Sequence, residues 1–154
     1  MTWNLPDEAA TVRLAEQVLV AMRPELAGWT ILLSGELGAG KSTFARAFIT
    51  AAGHTGPVPS PTYTLVEPYQ LPGIDIYHVD LYRVSDEEEL QYLGWDELDN
   101  GLRLVEWPDR APGLAATADL SIRLNYAGDG RSCDMTPLSE RGGKLLRDLI
   151  PPNR

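Results

Sequence analysis

The chain has 154 residues, 44% of them hydrophobic, and its 13 Lys and Arg against 22 Asp and Glu give a formal net charge of −9. This length suits one domain of about 100–200 residues. The charge excludes an autonomous binder of the nucleic-acid backbone, which needs a basic face for its phosphate contacts. The single cysteine, Cys133, excludes an intrachain disulfide.

The amino-terminal residues lack the basic and apolar segments of a secretory signal. No apolar run approaches the roughly 18 residues that a membrane-spanning helix needs. We therefore expect a cytoplasmic protein with no membrane partner and no direct grip on nucleic acid.

The first part of the chain reads as helix, strand, turn and helix. Apolar residues recur at helical spacing over residues 7–22, which predicts a first helix. Residues 29–34 are a short apolar run typical of a buried strand. A glycine-rich turn at 35–40 follows, and then a helix over 41–52 for which Gly53 is a plausible stop.

The middle of the chain predicts a hairpin. The prolines within residues 56–62 exclude regular structure there. Residues 63–69 and 74–82 are strand-like and are joined by a turn at 70–73. Residues 85–88 have the pattern of a capping box and predict a short acidic helix that begins there.

The last part of the chain predicts further strands and a closing helix. Residues 102–106 form a short strand, residues 120–124 pair with 131–135, and residues 138–149 form the helix. This alternation predicts an α/β fold with a mixed, mainly parallel central sheet, flanked by helices and carrying an inserted β-hairpin. We expect one domain over residues 1–154.

The glycine-rich turn matches the phosphate-binding pattern G-x-x-x-x-G-K-[ST] at every fixed position, as Gly35-Glu36-Leu37-Gly38-Ala39-Gly40-Lys41-Ser42. Glycines let successive backbone N–H groups turn toward phosphate oxygens, and the following helix N-terminus adds partial positive charge. Lys41 is expected to reach the β- and γ-phosphates and the Ser42 hydroxyl to ligate Mg²⁺. The alternative, a chance glycine-rich turn, is disfavoured by the strand before it and the helix after it.

A phosphate-binding loop needs a carboxylate at the end of a neighbouring strand, to hold Mg²⁺ or orient water. Glu106 ends the apolar run 102–105, and Asp80 lies near the end of the run 74–79. The alternative for each is a solvated charge at a strand end. The residues predicted to act in catalysis are Lys41, Asp80 and Glu106.

Three nearby features have a structural alternative. The hydroxyl-rich loop 60–64 suits contact with a γ-phosphate and movement on hydrolysis, or it is an ordinary proline-anchored loop. Trp107 would bury well either at a site or in the core, and Pro108 after it predicts extended backbone at Trp107 and the end of the strand. A lone strand histidine such as His78 is more often structural than catalytic.

Four blocks of the sequence occur in a distinctive order: residues 35–43, Ser60-Pro61-Thr62-Tyr63-Thr64-Leu65-Val66, His78-Val79-Asp80-Leu81-Tyr82-Arg83 and Leu104-Val105-Glu106-Trp107-Pro108. Together they resemble the bacterial TsaE family, also called YjeE, over residues 6–131. The resemblance implies a single-domain P-loop ATPase. In that family the protein hydrolyses ATP so that TsaD and TsaB can keep forming threonylcarbamoyladenosine next to the anticodon of tRNA.

The resemblance also implies site residues. It places Mg²⁺ on Ser42 and Glu106, and a functional carboxylate at Asp80. The residues implied to bind ATP are Thr11, Gly35, Glu36, Leu37, Gly38, Ala39, Gly40, Lys41, Ser42, Thr43, Asp80, Trp107, Gly130 and Arg131. Many members have Thr where Ser42 stands, and either hydroxyl can ligate Mg²⁺.

Other functions remain open on the residues alone. A small-molecule kinase on the same loop usually carries an arginine-rich lid, whereas the 11 arginines here are scattered singly. A GTP-dependent switch needs an Asn-Lys-x-Asp segment, which the sequence lacks. A nucleotide-dependent assembly subunit without turnover is a further alternative. Because no obvious arginine finger is encoded near the site, we expect hydrolysis to be slow unless a partner completes the site.

Overall fold

The computed structural model describes residues 1–149; the last part of the predicted domain span, 150–154, lies outside the described residues. The strands are β1 (Thr2–Leu5), β2 (Thr30–Gly35), β3 (Val66–Leu71), β4 (Ile74–Asp80), β5 (Leu102–Glu106), β6 (Leu120–Ala127) and β7 (Gly130–Pro137). The α-helices are α1 (Glu8–Met22), α2 (Lys41–Ala51) and α3 (Glu140–Asp148). Short 3₁₀ helices cover Glu87–Leu93, Trp95–Asn100, Pro108–Arg110 and Pro112–Ala116.

The strands form a single sheet in the order β1-β7-β6-β2-β5-β4-β3. The four central strands β6, β2, β5 and β4 are parallel, whereas β3 and the pair β7 and β1 are antiparallel to their neighbours. The prediction of a mixed α/β sheet with an inserted hairpin, β3–β4, is confirmed. Parallel pairing is confined to the centre of the sheet.

The two faces of the sheet pack against different elements. Alternation along β2 sends Ile31 and Leu33 into one core, which they share with residues of α1, α2 and α3. Leu32 points to the other face, where a smaller core contains Leu90 and Leu114 from the 3₁₀ helices. All three α-helices therefore pack on one face of the sheet, and short 3₁₀ helices cover the other face.

Several elements differ from the sequence prediction, and three of these differences have a clear physical reason. Strand β1 was not predicted; its four residues pair with β7 from the far end of the chain, a contact that has no local signal. Strand β3 begins at Val66 rather than at residue 63, because Leu65 has a φ of 68° and turns the chain. The predicted short acidic helix is present at Glu87–Leu93, but the capping box predicted at residues 85–88 is wrong: Asp86 is the N-cap, accepting from the Glu88 N–H at 3.0 Å, and the helix is 3₁₀.

No helix within residues 1–149 is both long enough and apolar enough to cross a membrane.

Asp119, buried just before β6, ties α3 to the sheet. Its carboxylate accepts hydrogen bonds from the Thr30 N–H at 3.0 Å, the Ser139 hydroxyl at 2.7 Å and Arg141 at 2.9 and 3.0 Å. Arg141 also donates to the Gly28 carbonyl at 2.7 Å. Burial alone would raise the pKa of Asp119, but the hydrogen bonds from Arg141, Thr30 and Ser139 outweigh it and hold the pKa below its usual value.

We predict that Asp119→Asn lowers the free energy of unfolding by about 1–3 kcal/mol at neutral pH, because the buried Thr30 N–H and the partly buried Ser139 and Arg141 donors lose a charged acceptor. Since the folded-state pKa is depressed, the carboxylate stabilises the fold above the ordinary pKa of 3.8 and stops doing so as pH falls through the folded value. Urea unfolding at a series of pH values measures this.

The matched control is Lys144→Ala, which removes an exposed 3.4 Å ion pair with Asp148 on the same helix. It should change the free energy of unfolding by less than about 0.5 kcal/mol. A difference between the wild type and Asp119→Asn that did not shrink at acid pH would contradict the prediction.

Candidate functional site

The glycine-rich loop joins the carboxyl end of β2 to the amino end of α2. A Cβ at Gly35, whose φ is +138°, would lie 2.3 Å from the Leu124 carbonyl oxygen, so only glycine fits beside β6. Gly40 has a φ of +113° and occupies the N-cap of α2. The backbone N–H groups at this N-terminus and the helix dipole provide the anion-binding environment that the sequence pattern predicts.

Lys41 is held against the loop itself. Its Nζ donates to the carbonyl oxygens of Gly35 at 2.6 Å and Glu36 at 2.9 Å. It also lies 4.3 Å from the centre of the Trp107 ring. Burial lowers the pKa of Lys41, and the negative charges of Glu106 and Asp80 oppose that shift without cancelling it. The ammonium group therefore lies in a partly desolvated position where an added anion would favour its charged form.

Glu106 is the last residue of β5 and is buried. Its Oε1 accepts from the Ser42 hydroxyl at 3.2 Å, and its Oε2 lies 2.6 Å from His78 Nε2. The register places Glu106 opposite Leu33 of β2 and Asp80 of β4. The strand pairing thus brings both predicted carboxylates to the sheet edge from which the glycine-rich loop leaves.

Asp80, the last residue of β4, is linked to the loop that precedes β3. Its Oδ2 accepts from the Thr62 hydroxyl at 3.2 Å, and its Oδ1 accepts from the Tyr82 N–H at 2.9 Å. Ser60 and Thr62 share a further hydrogen bond of 2.7 Å. Burial raises the pKa of Asp80, the Tyr82 N–H works against this, and the nearby charge of Glu106 raises it further.

Trp107 does not have the extended backbone predicted from Pro108. Its φ and ψ are 58° and 50°, a left-handed conformation that is rare for a bulky residue before proline. This turn directs the indole away from the strand, so that it stacks on Tyr82 with ring centres 4.9 Å apart and faces Lys41 on the cleft. Strained backbone of this kind is found at functional sites, where surrounding contacts enforce it.

These groups line a cleft of about 310 Å³. Its lining comprises Leu37, Gly38, Gly40, Lys41, Ser42, Thr43, Ser60, Thr62, Asp80, Tyr82, Glu106 and Trp107. None of these residues is an arginine. Arg83, the arginine nearest to a site block in the sequence, packs 4.4 Å from the Tyr63 ring and is not part of this lining.

The donor set fits Mg²⁺ bound together with phosphates. Within residues 1–149, no group of three or more His, Cys, Asp and Glu side chains is arranged to hold a metal alone. The cleft instead offers oxygen atoms of Ser42, Glu106 and Asp80. Mg²⁺ favours oxygen ligands and is usually bound by one or two carboxylates or hydroxyls with substrate phosphates and water.

A second cleft of about 280 Å³ lies on the other side of the loop and shares Gly38, Gly40 and Thr43 with the first. The structure brings Thr11, Gly130 and Arg131 together there. An Arg131 guanidinium nitrogen also donates to the Gly38 carbonyl at 3.3 Å. Three predicted nucleotide residues line neither cleft: the carbonyls of Gly35 and Glu36 face Lys41, and Ala39 is buried.

Two residues of this region make contacts that the sequence did not predict. Tyr82 stacks on Trp107, and its place two residues after Asp80, within the block 78–83, was the available signal. His78, for which a structural role was favoured over a catalytic one, is buried and contacts Glu106 directly. His78 lies two residues before Asp80 on the same strand, so the two side chains share one face of the sheet. That spacing was the sequence signal that His78 lies near the site.

Comparisons with known proteins agree on one family. The model of the family described as "Threonylcarbamoyl adenosine biosynthesis protein TsaE" matches residues 5–133. A Haemophilus influenzae protein named "tRNA threonylcarbamoyladenosine biosynthesis protein TsaE" is 36% identical over 151 residues, which cover 95% of each chain. A Bacillus subtilis protein of the same name is 33% identical over 152 residues, covering 97% of this chain and 93% of that one.

Among solved structures, the crystal structure of YdiB from Bacillus subtilis matches with a TM-score of 0.78 and 28% sequence identity. The match covers 96% of this chain and 92% of that chain.

We predict that ATP changes the intrinsic fluorescence of Trp107, because Lys41 would leave the face of its ring to contact phosphates. Saturating ATP should therefore alter the emission of the wild type, and Trp107→Phe should remove most of that change. Trp95→Phe is the matched control, since Trp95 also lies under a cation, Arg103, at 4.6 Å. Survival of the change in Trp107→Phe would contradict the prediction.

Proposed function

The chain belongs to the TsaE family, and on that premise we propose that it is a Mg²⁺-dependent, ATP-hydrolysing subunit that supports threonylcarbamoyladenosine modification of tRNA next to the anticodon. We propose that residues 1–154 form one P-loop ATPase domain for this purpose. The observation that carries the proposal is the meeting of Lys41, Ser42, Asp80 and Glu106 in one cleft at the N-terminus of α2. The names of the relatives support this hypothesis over a small-molecule kinase.

Each site residue has a role in the proposal. The loop N–H groups and Lys41 would bind the phosphates, with Lys41 exchanging its present carbonyl acceptors for phosphate oxygens. Ser42 and Glu106 would hold Mg²⁺, which when bound neutralises charge that develops on the phosphates. The second cleft, with Thr11, would receive the adenosine end of the nucleotide.

Asp80 would transmit the state of the nucleotide to a mobile part of the protein. Through Thr62 it holds the loop that includes Ser60, and both hydroxyls line the cleft. Contact between this loop and a γ-phosphate would be lost on hydrolysis, which is how switch loops respond to nucleotide state. In this proposal the partner proteins TsaD and TsaB respond to the change in the conformation of this loop that follows hydrolysis.

The net charge of −9 argues that the tRNA is bound by those partners rather than by this chain. The cleft lining contains no arginine. We therefore propose that the isolated chain is a weak ATPase and that TsaD and TsaB accelerate it, either by adding a cation or by ordering the loop.

Single-turnover hydrolysis of ATP tests this proposal. We predict at least about a tenfold acceleration when TsaD and TsaB are added, because a residue supplied in trans can raise such rates by far more. Glu106→Ala is the control: it should still bind ATP in the absence of Mg²⁺ but show no turnover with or without partners. Equal rates with and without partners would contradict partner activation, and a wild type that binds no ATP would contradict the proposed function.

A further inference from the structure

His78 and Glu106 form a buried pair between neighbouring strands. His78 Nε2 and Glu106 Oε2 are 2.6 Å apart, and the two side chains are 2% and 3% exposed. In the register His78 lies opposite Leu104, whereas Glu106 lies opposite Asp80. The contact is therefore diagonal across β4 and β5, on the face that His78 and Asp80 share.

This contact divides the two oxygens of Glu106 between different partners. Oε2 faces His78, and Oε1 accepts from the Ser42 hydroxyl on the cleft side. The terminal torsion of a glutamate is broad, so that a carboxylate without fixed partners samples many orientations. The hydrogen bond from His78 restricts that torsion and leaves Oε1 directed toward Ser42.

We propose that His78 is a positioning residue. It fixes the Glu106 carboxylate so that Oε1 and the Ser42 hydroxyl oxygen are both oriented to bind Mg²⁺. This inference rests on the proposed function, because it assigns the metal to Ser42 and Glu106. His78 is not among the residues that line the cleft, so it acts through Glu106 and not on the nucleotide. Groups that orient a metal-binding carboxylate in this way contribute strongly to metal affinity.

In the described part of the chain, the hydrogen bonding of the His78 side chain is confined to one ring nitrogen. Nδ1 is buried and has no hydrogen-bond partner within residues 1–149. Within the described residues, the His78 side chain therefore makes its hydrogen bond to Glu106 alone.

The dependence of nucleotide binding on Mg²⁺ tests the proposal. The probe is a non-hydrolysable ATP analogue, whose dissociation constant is measured with EDTA and over a series of Mg²⁺ concentrations. In the wild type, Mg²⁺ should lower the dissociation constant of the analogue, and the midpoint of that effect gives an apparent Mg²⁺ affinity. For His78→Leu we expect the midpoint Mg²⁺ concentration to rise by about 10–100-fold. The dissociation constant in EDTA should change by less than about twofold, because the phosphate contacts of the loop are untouched.

A pair of amide variants makes the test independent of packing defects. The Nε2 amide of His78→Gln can reach the position of the imidazole Nε2 and should restore most of the wild-type Mg²⁺ response. The shorter His78→Asn cannot reach Glu106 and should behave like His78→Leu. His54→Leu, at the chain's other histidine, should leave the Mg²⁺ response unchanged, and thermal unfolding checks that every variant is folded.

The outcomes separate this inference from the proposed function. A wild type whose binding of the analogue does not respond to Mg²⁺ would overturn the proposed Mg²⁺ site, and with it this inference. A Mg²⁺-responsive wild type with a folded His78→Leu of unchanged Mg²⁺ response would overturn the positioning role alone. If His78→Leu does not fold, equal Mg²⁺ responses in His78→Gln and His78→Asn would overturn it.

Discussion

Parallel pairing of β2, β5 and β4 is the constraint on which the site depends. In parallel strands the carboxyl ends meet at one edge of the sheet, and ligands of open α/β sheets bind at that edge. Here the register sets Leu33, Glu106 and Asp80 side by side. The glycine-rich loop leaves β2 at the same edge, so the phosphate-binding backbone and the two carboxylates meet without any long insertion.

The distribution of charge around the glycine-rich loop cannot be read from the overall composition of the chain. The chain as a whole is acidic, and two buried carboxylates lie next to the loop that would bind an anion. Attraction for phosphate must therefore come from local donors: backbone N–H groups, the α2 dipole and Lys41. Lys41 now donates to two carbonyls of its own loop, which keeps the ammonium paired beside Trp107. An acidic protein can thus offer a local anion-binding site without a basic surface.

Features that depend on the local spacing of residues could be predicted from the sequence. Features that depend on contacts between residues far apart in the chain could not. The order of helices and strands followed from the spacing of apolar residues, and the loop was recognised because its glycines and Lys41 have fixed spacing. The edge strand β1 could not be predicted, since its partner β7 lies at the other end of the chain. Trp107 was predicted to be extended from the local effect of Pro108, but its backbone is left-handed, and in that conformation the indole stacks on Tyr82 and lies beside Lys41, contacts that have no local signal. The contact of His78 with Glu106 depends on strand register, which apolar spacing alone does not determine.

The most direct test of this account is a crystal structure of the chain with Mg²⁺ and a non-hydrolysable ATP analogue. We predict that Mg²⁺ binds the Ser42 hydroxyl near Glu106, and that Lys41 Nζ moves from the Gly35 and Glu36 carbonyls to phosphate oxygens. A structure in which the phosphates lie away from the N-terminus of α2, or in which Lys41 keeps its carbonyl partners while nucleotide is bound, would contradict it.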